Sequence, residues 1–121
     1  MARTSVTTQK IVRAGLVPVA TAPAGTGAAN GDVIDCGFKT LEVTCGATPT
    51  TVTVETPVVQ DGQPLTALTV TCAANVTTRI GPFPSGTFGQ TAASAASPAD
   101  VGRAYVDYSS VTTVTRCVTS H

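Results

Sequence analysis

The sequence has very few residues that carry acid–base chemistry or that stack on a flat ligand. It contains one histidine, His121, no tryptophan, two tyrosines and three phenylalanines among 121 residues. A single histidine at the last position leaves no histidine-based catalytic triad and no multi-histidine metal site. The seven acids are scattered, and the aromatics are too few for a base-stacking platform. We therefore expect neither an enzyme nor a cofactor-binding protein.

Charge is equally scarce. Charged residues make up 12% of the chain, about half the usual fraction, and seven basic residues balance seven acidic ones. A nucleic-acid-binding protein would show a basic excess, so no nucleic-acid partner is expected. A surface with so little charge is typical of a protein that is largely covered by a partner.

The one local charge bias is at the start of the chain. Arg3, Lys10 and Arg13 all precede the first acid. Residues 1–13 are predicted to form an N-terminal arm, which is either simply solvated or docks on an acidic partner. These three cations are accordingly the candidate partner-binding residues.

Long apolar runs are missing as well. No window approaches the length of a membrane span, and residues 4–10 are polar where a secretion signal would need an apolar stretch. Neither a membrane partner nor export is expected. The sequence contains four cysteines, whose spacing matches no zinc ligand set. Cys45 and Cys72 each end an alternating run and are predicted to be buried free thiols, whereas two disulfides that also use Cys36 and Cys117 remain the alternative.

Threonine and valine are abundant and together form about a third of the chain. Apolar residues alternate with polar ones in runs separated by Gly, Pro, Asn and Asp, which predicts short strands with one buried face. The pattern indicates a single all-β domain over 1–121, a small β-sandwich of jelly-roll or immunoglobulin-like type with about eight short antiparallel strands. Residues 91–102 are predicted to be an exposed loop insertion. The predicted strands are 11–19, 32–36, 40–46, 51–56, 67–72, 77–80, 87–90, 103–109 and 112–118.

The most informative stretch is 75–109. It is interpreted as a strand, a Gly-Pro corner with an aromatic plug, a second strand, the excursion and a returning strand. Phe83 and Phe88 are expected to fill the core, because the chain has few other large side chains. The residues assigned to the structural core and corner are Arg79, Gly81, Pro82, Phe83, Phe88 and Tyr105.

This stretch resembles the small head-associated proteins of tailed phages, particularly those of actinobacteria. The likeness covers 75–109 closely and the rest of the chain loosely. The chain departs from that group in its four cysteines and in the insertion at 91–102, which could alter the surface that meets a partner. The matching residues are Arg79, Ile80, Gly81, Pro82, Phe83, Phe88, Gln90, Tyr105, Val106, Asp107 and Tyr108.

The resemblance implies a decoration or minor capsid protein that is made in the host cytoplasm. It would bind the major capsid protein lattice on the outside of the assembled virion, often as a homotrimer. One alternative is another virion part, such as a head–tail connector or tail-tube protein, which would form a ring. The other is a secreted β-sandwich that binds a carbohydrate or protein ligand and carries disulfides.

Overall fold

The chain folds as a small all-β sandwich, as the alternating pattern predicts. A computed structural model describes residues 3–23, 25, 31–57, 59–60, 62–64 and 66–120. A short helix, α1, covers Ser85–Phe88, and a 3₁₀ turn covers Pro98–Asp100. The strands are β1 (Thr4–Ser5), β2 (Thr8–Lys10), β3 (Asp32–Asp35), β4 (Lys39–Thr44), β5 (Thr50–Val54), β6 (Val59–Gln60), β7 (Gln63–Pro64), β8 (Leu68–Cys72), β9 (Thr77–Ile80), β10 (Arg103–Tyr108) and β11 (Thr115–Ser120).

Two sheets form the layers of the sandwich. Within the described part of the chain, the first sheet has the order β1-β3-β10-β5-β8 and the second has the order β2-β11-β4-β9. The strands from β3 onward pair antiparallel, as predicted, whereas β1 on β3 and β2 on β11 pair parallel. Strands β6 and β7 form a separate two-stranded hairpin.

The N-terminal segment belongs to both sheets. Strand β1 extends the edge of the first sheet, and β2 extends the edge of the second. Val6 lies between them and packs into the core at 9% exposure. Residues 3–10 are therefore an integral part of the sandwich and do not form a separate arm.

The core lies between the two inward faces. Alternate residues of the central strands are fully buried there, which is the outcome of a period-two pattern with one apolar face. Phe83 is the largest fully buried side chain among the described residues. Other fully buried core residues are Ile34, Leu41, Val43, Val52, Val54, Val106 and Val118.

Three details of the predicted strand list are wrong. Residues 11–19 form a surface loop, because Gly15 adopts a positive φ of 104° and Pro18 has no N–H to donate to a ladder. Residues 87–90 fall partly within α1, which begins directly after Pro84. The last strand begins at Thr115 because Thr113 has a φ of 55°, a value found in turns.

Candidate interaction surface

The three N-terminal cations have different environments, and Arg3 belongs to the fold. Its Nη2 donates to Glu55 Oε2 at 2.6 Å, and its Nη1 donates to Asp107 Oδ1 at 2.8 Å. The guanidinium also lies over the Tyr105 ring, with its carbon 4.3 Å from the ring centroid. Only 9% of the Arg3 side chain is exposed. The predicted role of Arg3 as an anchor is not compatible with this position.

The geometry around Arg3 depends on a glycine. A Cβ at Gly31 would lie 2.4 Å from Arg3 Nη1 and 2.3 Å from the Val106 carbonyl oxygen. Glycine therefore lets the guanidinium reach across β3 to β10. Burial raises the pKa of the Glu55 carboxyl; the Arg3 charge opposes this shift and the Asp107 charge reinforces it.

Lys10 and Arg13, in contrast, are exposed. The sequence did not indicate that a third cation, Lys39, lies beside them. Lys10 is in register with Ser120 on one side of β11, and Lys39 is in register with Ser120 on the other side. The two lysines thus lie two strand spacings apart, about 10 Å between Cα atoms. Arg13 follows Lys10 in the adjoining loop. Lys39 is contributed by β4, far along the chain, which is why the bias in the N-terminal sequence did not reveal it.

The remaining charges of the described chain are matched internally. The four other arginines form ion pairs with five acids, and Asp100 accepts a hydrogen bond from the Tyr105 hydroxyl. Among the described residues, Lys10, Arg13 and Lys39 are the cations without an ion-pair partner. The described residues therefore leave an unmatched positive charge at one end of the sandwich. The paired arginines are Arg3, Arg79, Arg103 and Arg116.

The same end carries most of the exposed apolar side chains. Of the seven large hydrophobic residues exposed in the described chain, four are in the 11–20 loop and one is Phe38. Phe38 is 85% exposed at the corner between β3 and β4, where Gly37 has a φ of 105°. Two backbone hydrogen bonds between Gly37 and Phe83, of 2.6 and 3.0 Å, fix this corner. We call the following set the basic–apolar surface: Lys10, Ile11, Val12, Arg13, Val17, Phe38 and Lys39.

The 11–20 loop is attached to the second sheet at both ends. The Ile11 N–H donates to the Ser120 carbonyl oxygen at 2.6 Å. The Gln9 side chain makes two hydrogen bonds, of 2.8 and 2.9 Å, with the backbone of Val19. These contacts hold the loop over the outer face of the sheet, where Thr119 is only 5% exposed. The apolar side chains of the loop are therefore presented from an anchored backbone.

A shallow groove runs beneath this loop. It has a volume of about 320 Å³, and its floor includes the Arg79–Glu42 ion pair, in which Nε and Oε1 are 2.7 Å apart. Arg79 was assigned to the core and corner, but its side chain is 74% exposed on the outer face of β9. The groove is lined by Ile11, Leu16, Pro18, Thr40, Glu42, Arg79 and Thr119.

The predicted corner lies at the end of β9. Phe83 is fully buried, and Phe88 of α1 meets it edge-on with ring centroids 5.6 Å apart. Gly81 has a φ of 152°, and a Cβ there would lie 2.4 Å from the Lys39 carbonyl oxygen. Pro82 is exposed and is joined to Gly81 by a cis peptide bond. The corner therefore supports the start of β4, which carries Lys39.

Tyr105 is buried on the outer face of the first sheet and lies outside the core between the sheets. Its hydroxyl donates to Asp100 Oδ2 at 2.7 Å and accepts from the Ala96 N–H at 2.9 Å. Both partners belong to the 91–102 excursion, which is thereby tied down over β10. The excursion is largely exposed otherwise.

Sequence reasoning also missed a buried polar cluster between the sheets. Arg116 of β11 pairs with Asp32 of β3, and Tyr108 of β10 donates its hydroxyl proton to Asp32 Oδ2 at 2.6 Å. Burial is the main cause that raises the pKa of Tyr108. The sequence did contain a signal for this cluster, because Asp32 and Arg116 fall on the same inward-facing alternation as Ile34 and Val118. Asp32 is fully buried, and Arg116 and Tyr108 are 4% and 2% exposed, so we interpret the role of the cluster as structural.

Within the described ranges, no group of three or more His, Cys, Asp or Glu side chains is placed to hold a metal ion. No helix found there has both the length and the apolar composition needed to cross a membrane.

Comparisons with known proteins give no match. Neither a family model, nor a curated protein, nor a solved structure is significantly similar to this chain. The basic–apolar surface is thus the feature on which a functional proposal depends.

Proposed function

We propose that this protein is a structural virion protein that binds the outside of an assembled phage capsid and stabilises it. The observation that carries the proposal is the basic–apolar surface, which concentrates unpaired cations and exposed apolar side chains at one end of the sandwich. Exposed apolar patches rimmed by polar groups mark protein–protein contact sites. The resemblance of 75–109 to head-associated proteins supplies the kind of partner, the major capsid protein lattice.

Such a protein stabilises a shell by mass action. A shell offers many copies of one site, and any molecule that binds only the assembled form shifts the equilibrium toward assembly. Each contact can be modest for this purpose. Association of the chain as a homotrimer, which the resemblance implies, would engage several shell subunits at once and raise the effective concentration of each contact.

The test is the copy number of this chain in purified particles of the phage that encodes it. Quantitative mass spectrometry should find it in numbers comparable to the shell subunits. Particles assembled without the chain should lose their genome at a lower temperature. A copy number of about a dozen or fewer would instead support a connector or tail ring with closed cyclic symmetry. Absence of the chain from purified particles would refute a virion role altogether.

A further inference from the structure

We infer that the basic–apolar surface docks on a carboxylate-bearing protein surface of the shell, with Phe38 as its apolar anchor and with Lys10 and Lys39 as its cationic flanks. This inference rests on the proposed function and adds to it the site on this chain and the chemistry of the partner.

The charge balance of the described residues is the first argument. Every described acid is already engaged by an arginine or by the Tyr105 hydroxyl, so none is free to neutralise the three unpaired cations. Cations that become buried at an interface need a charged partner, since leaving them unpaired there is costly. We therefore expect the complementary surface to carry carboxylates.

The arrangement of the groups is the second argument. Phe38 directly precedes Lys39, and Lys10 lies across β11 from Lys39. An aromatic side chain flanked by charges is typical of an interface hot spot, in which the ring fills an apolar pocket and surrounding groups exclude water. The Phe38 ring is 85% exposed in the isolated chain, which leaves its apolar area without a partner. A docking partner would bury it.

The anchoring of the backbone is the third argument. Phe38 follows a corner held by two hydrogen bonds to Phe83, and the 11–20 loop is held by Gln9 and Ser120. Pre-organised groups lose little conformational freedom on binding, so more of the contact energy appears as affinity. The apolar side chains Val12 and Val17 extend the surface beside the cations, with 49% and 86% exposure.

The experiment measures binding of the purified chain to shells assembled without it, by co-sedimentation at several salt concentrations. The double variant Lys10→Gln with Lys39→Gln should bind at least about tenfold more weakly and should show a flatter salt dependence. Its matched control, Thr71→Glu with Ala92→Glu, makes the same change in net charge at exposed positions on β8 and on the excursion. The control should bind like the parent chain.

A second pair of variants tests the apolar anchor. Phe38→Ser should weaken binding by about tenfold or more, the effect expected of a buried aromatic hot spot. Val76→Ser removes an apolar side chain that is 45% exposed away from the surface and should leave binding unchanged. Circular dichroism and thermal melting of each variant establish that the fold is intact.

The outcomes separate the two proposals. If the parent chain does not bind the shells, the proposed function fails and this inference fails with it. If the parent chain binds but both test variants bind equally well, the proposed function stands and the assignment of the surface is overturned. Competition provides the last check: poly-L-glutamate should displace the chain from shells. If duplex DNA at matched ionic strength displaces it better, the carboxylate partner is wrong and a phosphate-bearing one is indicated.

Discussion

Arg116 donates two hydrogen bonds to the Asp32 carboxylate in the space between the sheets. Its Nε donates to Oδ2 at 2.7 Å, and its Nη2 donates to Oδ1 at 2.9 Å. The remaining Nη1 donates to the carbonyl oxygen of Thr21 at 3.1 Å and also contacts the Thr21 hydroxyl. Asp32 is fully buried, and Arg116 is 4% exposed. The pair thus joins β3 of one sheet to β11 of the other.

Breaking the Arg116–Asp32 pair is predicted to destabilise the fold strongly. Asp32→Asn leaves the Arg116 charge buried without a counter-charge and should lower the free energy of unfolding by about 3–5 kcal/mol. The control is Asp35→Asn, because the Asp35–Arg103 pair is partly solvated and should contribute about 1 kcal/mol or less. Urea denaturation measures both. Equal losses for the two variants would contradict the structural role assigned to the buried pair.

The two tyrosines predict a loss of stability at high pH. Burial is the main cause that raises the pKa of both hydroxyls above their ordinary 10.0, and their hydrogen bonds to Asp32 and Asp100 add to the effect. The folded chain therefore keeps its phenol protons at pH values where the unfolded chain releases them. Unfolding then releases protons, so stability falls as pH rises above 10.0.

The measurement is an alkaline titration followed by near-ultraviolet absorbance and circular dichroism together. Phenolate absorbance should appear only as the strand signal is lost. Tyr108→Phe should weaken the dependence of stability on alkaline pH. Ionisation of either tyrosine in a chain that remains folded near pH 10.0 would disprove the prediction.

Gly81 is predicted to tolerate no side chain. Gly81→Ala places a Cβ 2.4 Å from the Lys39 carbonyl oxygen at a φ of 152°, so we expect a loss of about 1–3 kcal/mol. Gly86→Ala is the matched control, because a Cβ there has nothing within 4 Å and lies in helix α1. It should be neutral or slightly stabilising. Thermal unfolding distinguishes the two, and equal midpoints would count against the strained corner.

Substitution of Arg3 is predicted to lower the stability of the fold, whereas substitution of Arg13 is predicted to leave it unchanged. Arg3→Gln removes the counter-charge of Glu55 and Asp107, and solvent screening limits the expected loss to about 1–2 kcal/mol. Arg13→Gln should leave stability unchanged, since Arg13 is exposed and has no ion pair among the described residues. Denaturant titration of both variants provides the comparison, and a stable Arg3→Gln chain would show that its contacts are dispensable.

The four cysteines are predicted to be free thiols that react slowly in the folded chain. All four are free, and Cys45, Cys72 and Cys117 are buried. Burial raises the pKa of the Cys36, Cys45 and Cys117 thiols, which lowers the fraction of reactive thiolate. A thiol-reactive dye should therefore label the native chain slowly, with Cys36 first, and should label four sites in denaturant without reductant. Fewer than four would indicate disulfides.

Much of the sandwich could be predicted because period-two alternation is a local property of the sequence. It located β3, β4, β5, β8, β9 and β10 to within two residues. It failed at 11–19, where the valines alternate as in a strand but Gly15 and Pro18 interrupt any ladder. The predicted burial of Cys45 and Cys72 is confirmed, since each follows the inward side of its strand.

The basic–apolar surface could be predicted only in part. Lys10 and Arg13 stand out in the sequence, but Lys39 and Phe38 join them through the pairing of β4 with β11, which no local pattern reveals. Arg3 looked equivalent to its neighbours, and only the tertiary approach of Glu55 and Asp107 shows that its charge is already used. Spatial neighbours from distant strands decide which charges are free.

The pairing of β2 with β11 has a consequence for how the chain folds. Its register joins Thr8 to Val118 and Lys10 to Ser120, so nearly the whole length of the chain separates the partners. Contacts of this span make folding slow, because a long loop must close before they form. On the ribosome, the second sheet stays incomplete until the last strand emerges. A split of the chain within the 91–102 excursion, with a linker of about a dozen residues or more running from residue 120 to residue 3, should bring β2 and β11 together early and speed folding.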